Sequence, residues 1–140
     1  EEEIREMEVS ENVSEVSAIS AVRRKMVSLQ RKMGEHKGIV MDGRDIGTVV
    51  FPYAELKIFM TADLLVRAQH RLAELAQNGK QTSLEEVKQN LEKRDAIDSS
   101  RKDSPLTKAA DAIIIDTSSL SFEEQTEKIV TLAQIKISGN

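Results

Sequence analysis

Apolar residues recur along this chain at helical spacing in one segment after another, and they form short uninterrupted runs in between. The first helical stripe has intervals of four, three and four residues and consists of Val22, Met26, Leu29 and Met33. Such intervals place side chains on one face of an α-helix. Ser20 is the predicted N-cap of this helix, and Gly34 is predicted to end it.

A second helix is predicted to start at the possible cap Asp63 and to end near Gly79. Its apolar stripe consists of Leu65, Ala68, Leu72 and Leu75. Ser83 and Glu86 then form a capping box, in which the serine and the glutamate satisfy each other's backbone N–H groups. The helix that this box opens is predicted to run to about Ile97, before Pro105 breaks the pattern.

The last helix is predicted from another capping box, formed by Ser121 and Glu124. Its inner face is predicted to carry Phe122, Ile129, and Leu132 or Ala133. The ends of the chain, residues 1–11 and 138–140, carry no such pattern and are expected to be loose.

Three apolar runs, at residues 38–41, 56–60 and 112–115, predict short buried strands. Uninterrupted apolar strands that alternate with helices are typical of a parallel sheet covered on both faces. The pattern therefore predicts an α/β fold, and the length of 140 residues suits a single domain over residues 1–140.

A dense charged turn follows the first predicted strand, with Asp42, Arg44 and Asp45 set between Gly43 and Gly47. In open α/β sheets, ligands bind just outside the carboxyl ends of the strands. A guanidinium offers a rigid fork of donors that matches phosphate or carboxylate. The turn is therefore a candidate binding site, and the alternative is a salt-bridged surface turn.

The charge pattern narrows the class of ligand. The formal net charge is −4, yet basic residues gather locally at 23–25, 31–32, 67–71 and 93–102. This distribution favours a small phosphorylated ligand over nucleic acid.

The chain has no cysteine, which excludes disulfides, thiolate zinc sites and cysteine nucleophiles. No apolar run approaches the roughly 18–20 residues that span a bilayer, so we expect a cytoplasmic protein without a membrane partner.

Two groups of charged residues have helical spacing. Arg94, Asp98 and Arg101 lie at i, i+4 and i+7, on one helix face. By spacing alone they can form either a ligand site or a solvated row of salt bridges. Arg67 and Arg71 share another face with His70, which is either a ligand-binding surface or an ordinary basic patch.

The stretch from Asp42 to Pro52, Asp-Gly-Arg-Asp-Ile-Gly-Thr-Val-Val-Phe-Pro, resembles the signature stretch of bacterial cytidylate kinases. Further anchors of the resemblance follow the same order and lie at residues 13–17, 93–101, 104–106 and 111–117. The similarity runs from about Val9 to about Ile129. Several separate anchors in the right order are more specific than any single motif.

This resemblance implies transfer of the ATP γ-phosphate to CMP or dCMP, giving CDP or dCDP, with Mg²⁺ accompanying ATP. The implied partners are these nucleotides, and no metal ligand is assigned within the chain. The implied fold is that of a P-loop nucleoside monophosphate kinase, a parallel sheet flanked by helices. The 140 residues contain no G-x-x-x-x-G-K-S/T motif, so we expect an incomplete sheet whose P-loop strand lies upstream of Glu1.

For this chain on its own, we expect an inactive fragment of an enzyme that is a monomer when complete. The fragment has an open sheet edge through which copies can pair. Two alternatives stay open: a non-catalytic fragment that binds nucleotides or partners, and a monophosphate kinase with another base preference.

The resemblance also implies which residues grip the acceptor nucleotide. Ser14 and Arg23 match the serine and arginine that read the cytosine ring, and Asp45 is placed to steer Arg23 and to accept from the cytosine amino group. Asp42 either contacts the acceptor or orients Arg44.

In the same comparison, Arg94 and Asp98 hold the ribose hydroxyls or the phosphate, and Arg101 reaches the base or a phosphoryl oxygen. A lid-like helical segment at about 63–103 carries Arg67 and Arg71, which match the cations that close over the transferred phosphate. His70 stands where the family usually has arginine, so it is not assigned a role.

Overall fold

The computed structural model describes residues 7–139, which form five α-helices, one π-helical turn and two strands. The helices are α1 (Met7–Ala18), α2 (Ser20–Met33), α3 (Leu64–Gln77), α4 (Leu84–Ser100) and α5 (Phe122–Ser138). The strands are β1 (Ile58–Thr61) and β2 (Ile113–Asp116), and the π turn spans Ile46–Val50. No helix within residues 7–139 combines the length and the apolar character needed to cross a bilayer.

The two strands pair in parallel, with Ile58 opposite Ile113 and Thr61 opposite Asp116. The connection between them contains α3 and α4, as expected for an α/β fold with parallel strands. Both strands were predicted within two residues of their observed bounds. Their predicted burial was wrong for both strands. None of the four residues of β1 is fully buried, and in β2 only Ile115 is.

The strand predicted at residues 38–41 is absent from the structure. This segment has no regular hydrogen bonding, and the side chain of Val40 is 100% exposed. A strand needs a neighbour to satisfy its N–H and C=O groups. Within residues 7–139, β1 and β2 pair only with each other, so the segment 38–41 has no strand to join. An apolar run therefore did not suffice to form a strand here.

The N-terminal part of the described chain is more helical than predicted. Residues 7–11 were expected to be loose, but they belong to α1, and Ser138 likewise ends α5. The predicted cap Ser20 is the first residue of α2, because the N-cap position is occupied by Ile19, whose side chain accepts no hydrogen bond. Gly34 ends α2 as predicted.

Helices α3 and α4 form a hairpin around the buried side chains of Ala68, Leu75 and Val87. Leu72, predicted on the apolar stripe, packs against this cluster, whereas Leu65 of the same stripe is exposed. Asp63 occupies the N-cap position of α3 without a side-chain capping bond. The predicted lid-like segment thus has a small apolar core of its own.

Both predicted capping boxes are confirmed. In α4, the Glu86 N–H donates to Ser83 Oγ over 3.2 Å, and the Ser83 N–H donates to Glu86 Oε2 over 2.8 Å. Helix α4 ends at Ser100, three residues beyond the predicted end. The box of Ser121 and Glu124 opens α5 in the same way. Phe122 was predicted on the inner face of α5, but its side chain is 78% exposed.

Gly34 is expected to be intolerant of a side chain, because a Cβ there would lie 2.5 Å from Cζ of Phe51 and 2.9 Å from Cδ1 of Ile39. We expect Gly34→Ala to lower the free energy of unfolding by about 1–3 kcal/mol through overpacking. Urea denaturation measures this change. Gly47→Ala is the control, since its Cβ would meet only the flexible side chain of Lys57, at 3.3 Å. Equal stability of the two variants would contradict the prediction.

Candidate functional site

Asp45 is the first of two buried carboxylates around which the site is built. Its side chain is 1% exposed, and its carbonyl oxygen accepts hydrogen bonds from the N–H groups of Thr48, Val49 and Val50 as the chain winds into the π turn. Arg23 of α2 donates to this carboxylate twice: Nε lies 3.2 Å from Oδ2, and Nη2 contacts Oδ1. The two donors fix the plane of the guanidinium against the turn.

Asp98, in the last turn of α4, is the second buried carboxylate and is 2% exposed. Its Oδ2 accepts from Arg44 Nε over 2.9 Å, and its Oδ1 accepts from Arg101 Nη1 over 3.4 Å. Asp98 therefore joins the charged turn at 42–45 to the end of α4, although 54 residues separate it from Arg44.

Arg101 follows α4 directly and is almost completely buried. Its Nε donates to the carbonyl oxygen of Ser104 over 2.7 Å, and its Nη1 also approaches Ser17 Oγ at 3.5 Å. Its Nη2 is buried and has no hydrogen-bond partner within residues 7–139. A buried guanidinium nitrogen without an acceptor is unfavourable, so this atom marks a position where a ligand oxygen or nitrogen would be stabilising.

Helix α1 contributes Ser14, whose side chain is buried near this group, and Ser17. The Ser17 hydroxyl donates to the carbonyl oxygen of Ser14 over 3.1 Å while its oxygen faces Arg101. Sequence reasoning missed Ser17. Its spacing of three residues from Ser14, which places both on one helix face, was the available signal.

The arginines of the site repel one another. Burial lowers the pKa of Arg101, and the charge of Arg23 lowers it further, whereas Asp98 and Asp45 act in the opposite direction. Burial likewise lowers the pKa of Arg94, with Arg44 and Arg71 adding to the effect and Asp98 and Asp95 opposing it. Arginine pKa values lie so high that both side chains stay protonated. The site thus contains crowded, partly desolvated positive charge.

Arg67 and Arg71 of α3 are bound to carboxylates of the α3–α4 hairpin. Arg67 lies in the first turn of α3, just beyond the carboxyl end of β1, and its Nη1 is 2.8 Å from Asp95 Oδ2. Arg71 Nη1 is 2.7 Å from Glu74 Oε2. The sequence reasoning did not single out Asp95 or Glu74. His70 is exposed on the same helix.

Asp42 is exposed at the mouth of the charged turn. One expectation was that it orients Arg44, but Arg44 binds Asp98, and no described contact joins it to Asp42. The buried carboxylate of Asp98 therefore orients Arg44.

Charged groups of both signs lie close together in the site. The network contains six arginines, namely Arg23, Arg44, Arg67, Arg71, Arg94 and Arg101. It contains four carboxylates, namely Asp45, Glu74, Asp95 and Asp98. Clustered guanidinium groups of this kind bind phosphate monoesters, which carry about −1.5 to −2 at neutral pH. No group of three or more carboxylates or imidazoles that could hold a metal ion occurs among the described residues.

A parallel strand pair flanked by helices, with an arginine cluster beyond the carboxyl end of β1, defines an α/β protein. Comparison with known families identifies the family within this class: the family profile described as cytidylate kinase matches residues 1–135. The chain belongs to the cytidylate kinase family.

Curated relatives agree with this assignment. The chain is 58% identical over 132 residues to the cytidylate kinase of Flavobacterium psychrophilum, a match that covers 94% of the chain and 58% of the relative. It is 55% identical to that of Cytophaga hutchinsonii, covering 95% of the chain and 57% of the relative. For Phocaeicola vulgatus the identity is 51%, with 99% and 61% covered. The chain thus spans about three fifths of the length of these relatives.

Proposed function

We propose that the protein to which this chain belongs transfers the γ-phosphate of ATP to CMP or dCMP, giving CDP or dCDP. The observation that carries the proposal is the cluster of arginines around the buried carboxylates Asp45 and Asp98, an arrangement of guanidinium groups that suits a phosphate monoester. The family membership and the names of the relatives select this reaction from among those that bind phosphate esters.

In this proposal the cytosine ring lies against Ser14, Arg23 and Asp45. The Ser14 hydroxyl and the Arg23 guanidinium donate to the O2 and N3 acceptors of the ring, and Asp45 accepts from the N4 amino group. The pair of Arg23 and Asp45 is already held by two contacts, so little ordering is needed when the base binds. A base without this donor and acceptor pattern would leave buried polar groups unpaired.

The ribose and the acceptor phosphate lie, in the same proposal, against Arg44, Arg94, Asp98 and Arg101. Asp98 accepts from ribose hydroxyls, while the guanidinium groups neutralise the phosphate. The buried Nη2 of Arg101 gains an acceptor on the ligand. Asp42 is exposed at the start of the charged turn and is placed to contact the acceptor.

Arg67 and Arg71 stabilise the transferred phosphoryl group. Phosphoryl transfer is catalysed mainly by positioning and by neutralising charge on the equatorial oxygens. Cations on a hairpin that packs on its own core can close over the reacting groups and exclude water. We propose direct in-line transfer to the acceptor phosphate, without a covalent enzyme intermediate.

The site for ATP and Mg²⁺ extends beyond this chain in our proposal. Mg²⁺ keeps most of its ligands from phosphates and water, and residues 7–139 offer no cluster of carboxylates or imidazoles for it. The 140 residues also contain no P-loop motif. We place the P-loop strand beside the open edge of β1, where it would also give residues 38–41 a partner. The complete enzyme is proposed to be monomeric.

The test is a calorimetric titration of CMP, UMP and AMP into this 140-residue chain. We expect CMP to bind at least about tenfold more tightly than UMP, because the N4 amino group and N3 acceptor are matched only by cytosine. We expect no phosphoryl transfer by the chain alone. The second candidate function, for this polypeptide by itself, is therefore nucleotide binding without turnover. Equal affinities for CMP and UMP would overturn the base assignment, and turnover by the chain would overturn the placement of the donor site.

A further inference from the structure

Two arginine–carboxylate pairs in this molecule differ in their contacts and in their exposure to water. Arg23 and Asp45 share two contacts, and the carboxylate is 1% exposed. Arg67 and Asp95 share one contact of 2.8 Å, and their side chains are 35% and 31% exposed. A partly exposed ion pair contributes little net stability, so little free energy is lost when a competing anion replaces the carboxylate.

Arg67 has unused hydrogen-bonding capacity in this arrangement. Its Nη1 binds Asp95, while its Nε is buried and has no hydrogen-bond partner within residues 7–139. A guanidinium is most strongly bound by an anion that accepts two parallel hydrogen bonds. A phosphate with several free oxygens would therefore satisfy Arg67 better than Asp95 does.

The position of Asp95 makes the competition direct. Asp95 is the neighbour of Arg94 on α4, and its charge acts on Arg94 as well as on Arg67. It thus stands among the cations of α3 and α4 and supplies negative charge that an incoming phosphate would otherwise supply. Arg71 is engaged similarly by Glu74.

We propose that Asp95 is a positioning residue that occupies Arg67 as an exchangeable counter-ion, which the oxygens of an incoming phosphate displace. The inference rests on the proposed function, since it concerns the phosphates that Arg67 meets there. Asp95 therefore lowers the affinity of the site for phosphate groups.

The test compares inorganic pyrophosphate, CMP and cytidine by calorimetry on the 140-residue chain and its variants at one ionic strength. Asp95→Asn is expected to raise the affinity for pyrophosphate and for CMP by about threefold to fivefold, because the competing charge is gone. Cytidine, which has no phosphate, is expected to bind all proteins equally. Asp95→Glu keeps the charge and is expected to stay within about twofold of the parent chain.

Glu85→Gln is the matched control. Glu85 lies on the same helix and is exposed, and within residues 7–139 its side chain accepts a hydrogen bond only from Gln89, over 3.0 Å. Its substitution therefore removes one negative charge from α4 away from the site. We expect it to change pyrophosphate affinity by less than about twofold.

Several results would overturn the role of Asp95. These are a lower or unchanged pyrophosphate affinity in Asp95→Asn, an equal rise in Glu85→Gln, or failure of both parent and variant to bind pyrophosphate. Failure of the proposed function looks different: CMP would then bind no better than pyrophosphate and would show no preference over UMP. The nucleotide controls therefore separate the two failures.

Discussion

Asp45→Ala is expected to lower the free energy of unfolding by about 3–5 kcal/mol and to abolish the preference for CMP over UMP. The substitution leaves the nearly buried guanidinium of Arg23 without its counter-ion. Removing one partner of a buried ion pair lowers the free energy of unfolding by about 3–5 kcal/mol. It also removes the acceptor for the cytosine amino group in the proposed site. Urea denaturation and calorimetry measure the two effects separately.

A double variant distinguishes the ion pair from the packing around it. Arg23→Met combined with Asp45→Leu replaces both charges by apolar side chains and is expected to recover most of the stability lost in Asp45→Ala. CMP selectivity is expected to stay lost, since neither base contact remains. Glu55→Ala is the control: it removes one partner of an exposed ion pair with Lys37, and we expect no measurable change. A double variant as unstable as Asp45→Ala would show that the charge on Arg23 is not the cause.

Asp98→Asn is expected to weaken CMP binding by about 30-fold or more, the effect of truncating a buried, hydrogen-bonded charge. One carboxylate here orients Arg44 and Arg101 together, so its neutral analogue leaves both guanidinium groups less well held and increases their mutual repulsion. In the proposed site it also weakens the contact with the ribose hydroxyls. Calorimetric titration of CMP into the folded variant measures the loss.

The control for this prediction is Asp103→Asn. Asp103 lies near the same end of α4 but approaches Arg24 only at 4.0 Å, and Arg24 is largely exposed. We expect CMP affinity within about twofold of the parent chain, as is typical of surface ion pairs. Similar losses in the two variants would mean that the overall charge, and not the contacts of Asp98, governs binding.

Local features of the sequence were predicted well because their causes are local. The capping boxes of Ser83 and Ser121 formed as expected, since each needs only a serine and a glutamate three residues apart. The strands β1 and β2 were located by short apolar runs. The charged turn, with Arg44 and Asp45, was recognised by its composition, and the resemblance selected Arg23 and Asp98 from elsewhere in the chain.

Features that depend on distant neighbours were not predictable in this way. Residues 38–41 have the composition of a strand, yet they form none in residues 7–139 because no strand is beside them. Asp95 lies within the anchor at residues 93–101, but its contact was overlooked because its partner lies on another helix. Its pairing with Arg67 exists only because α3 and α4 pack as a hairpin.

The sequence by itself thus determined where most helices start and end and that the fold is α/β, since capping and periodicity act over a few residues. The order of several motifs along the chain indicated the family. Only the tertiary structure decided which charges meet. Asp98 joins Arg44 to Arg101, and Asp95 binds Arg67, because packing brings segments together that are far apart in the chain. The strength of each pair then follows from its burial, which no local pattern encodes.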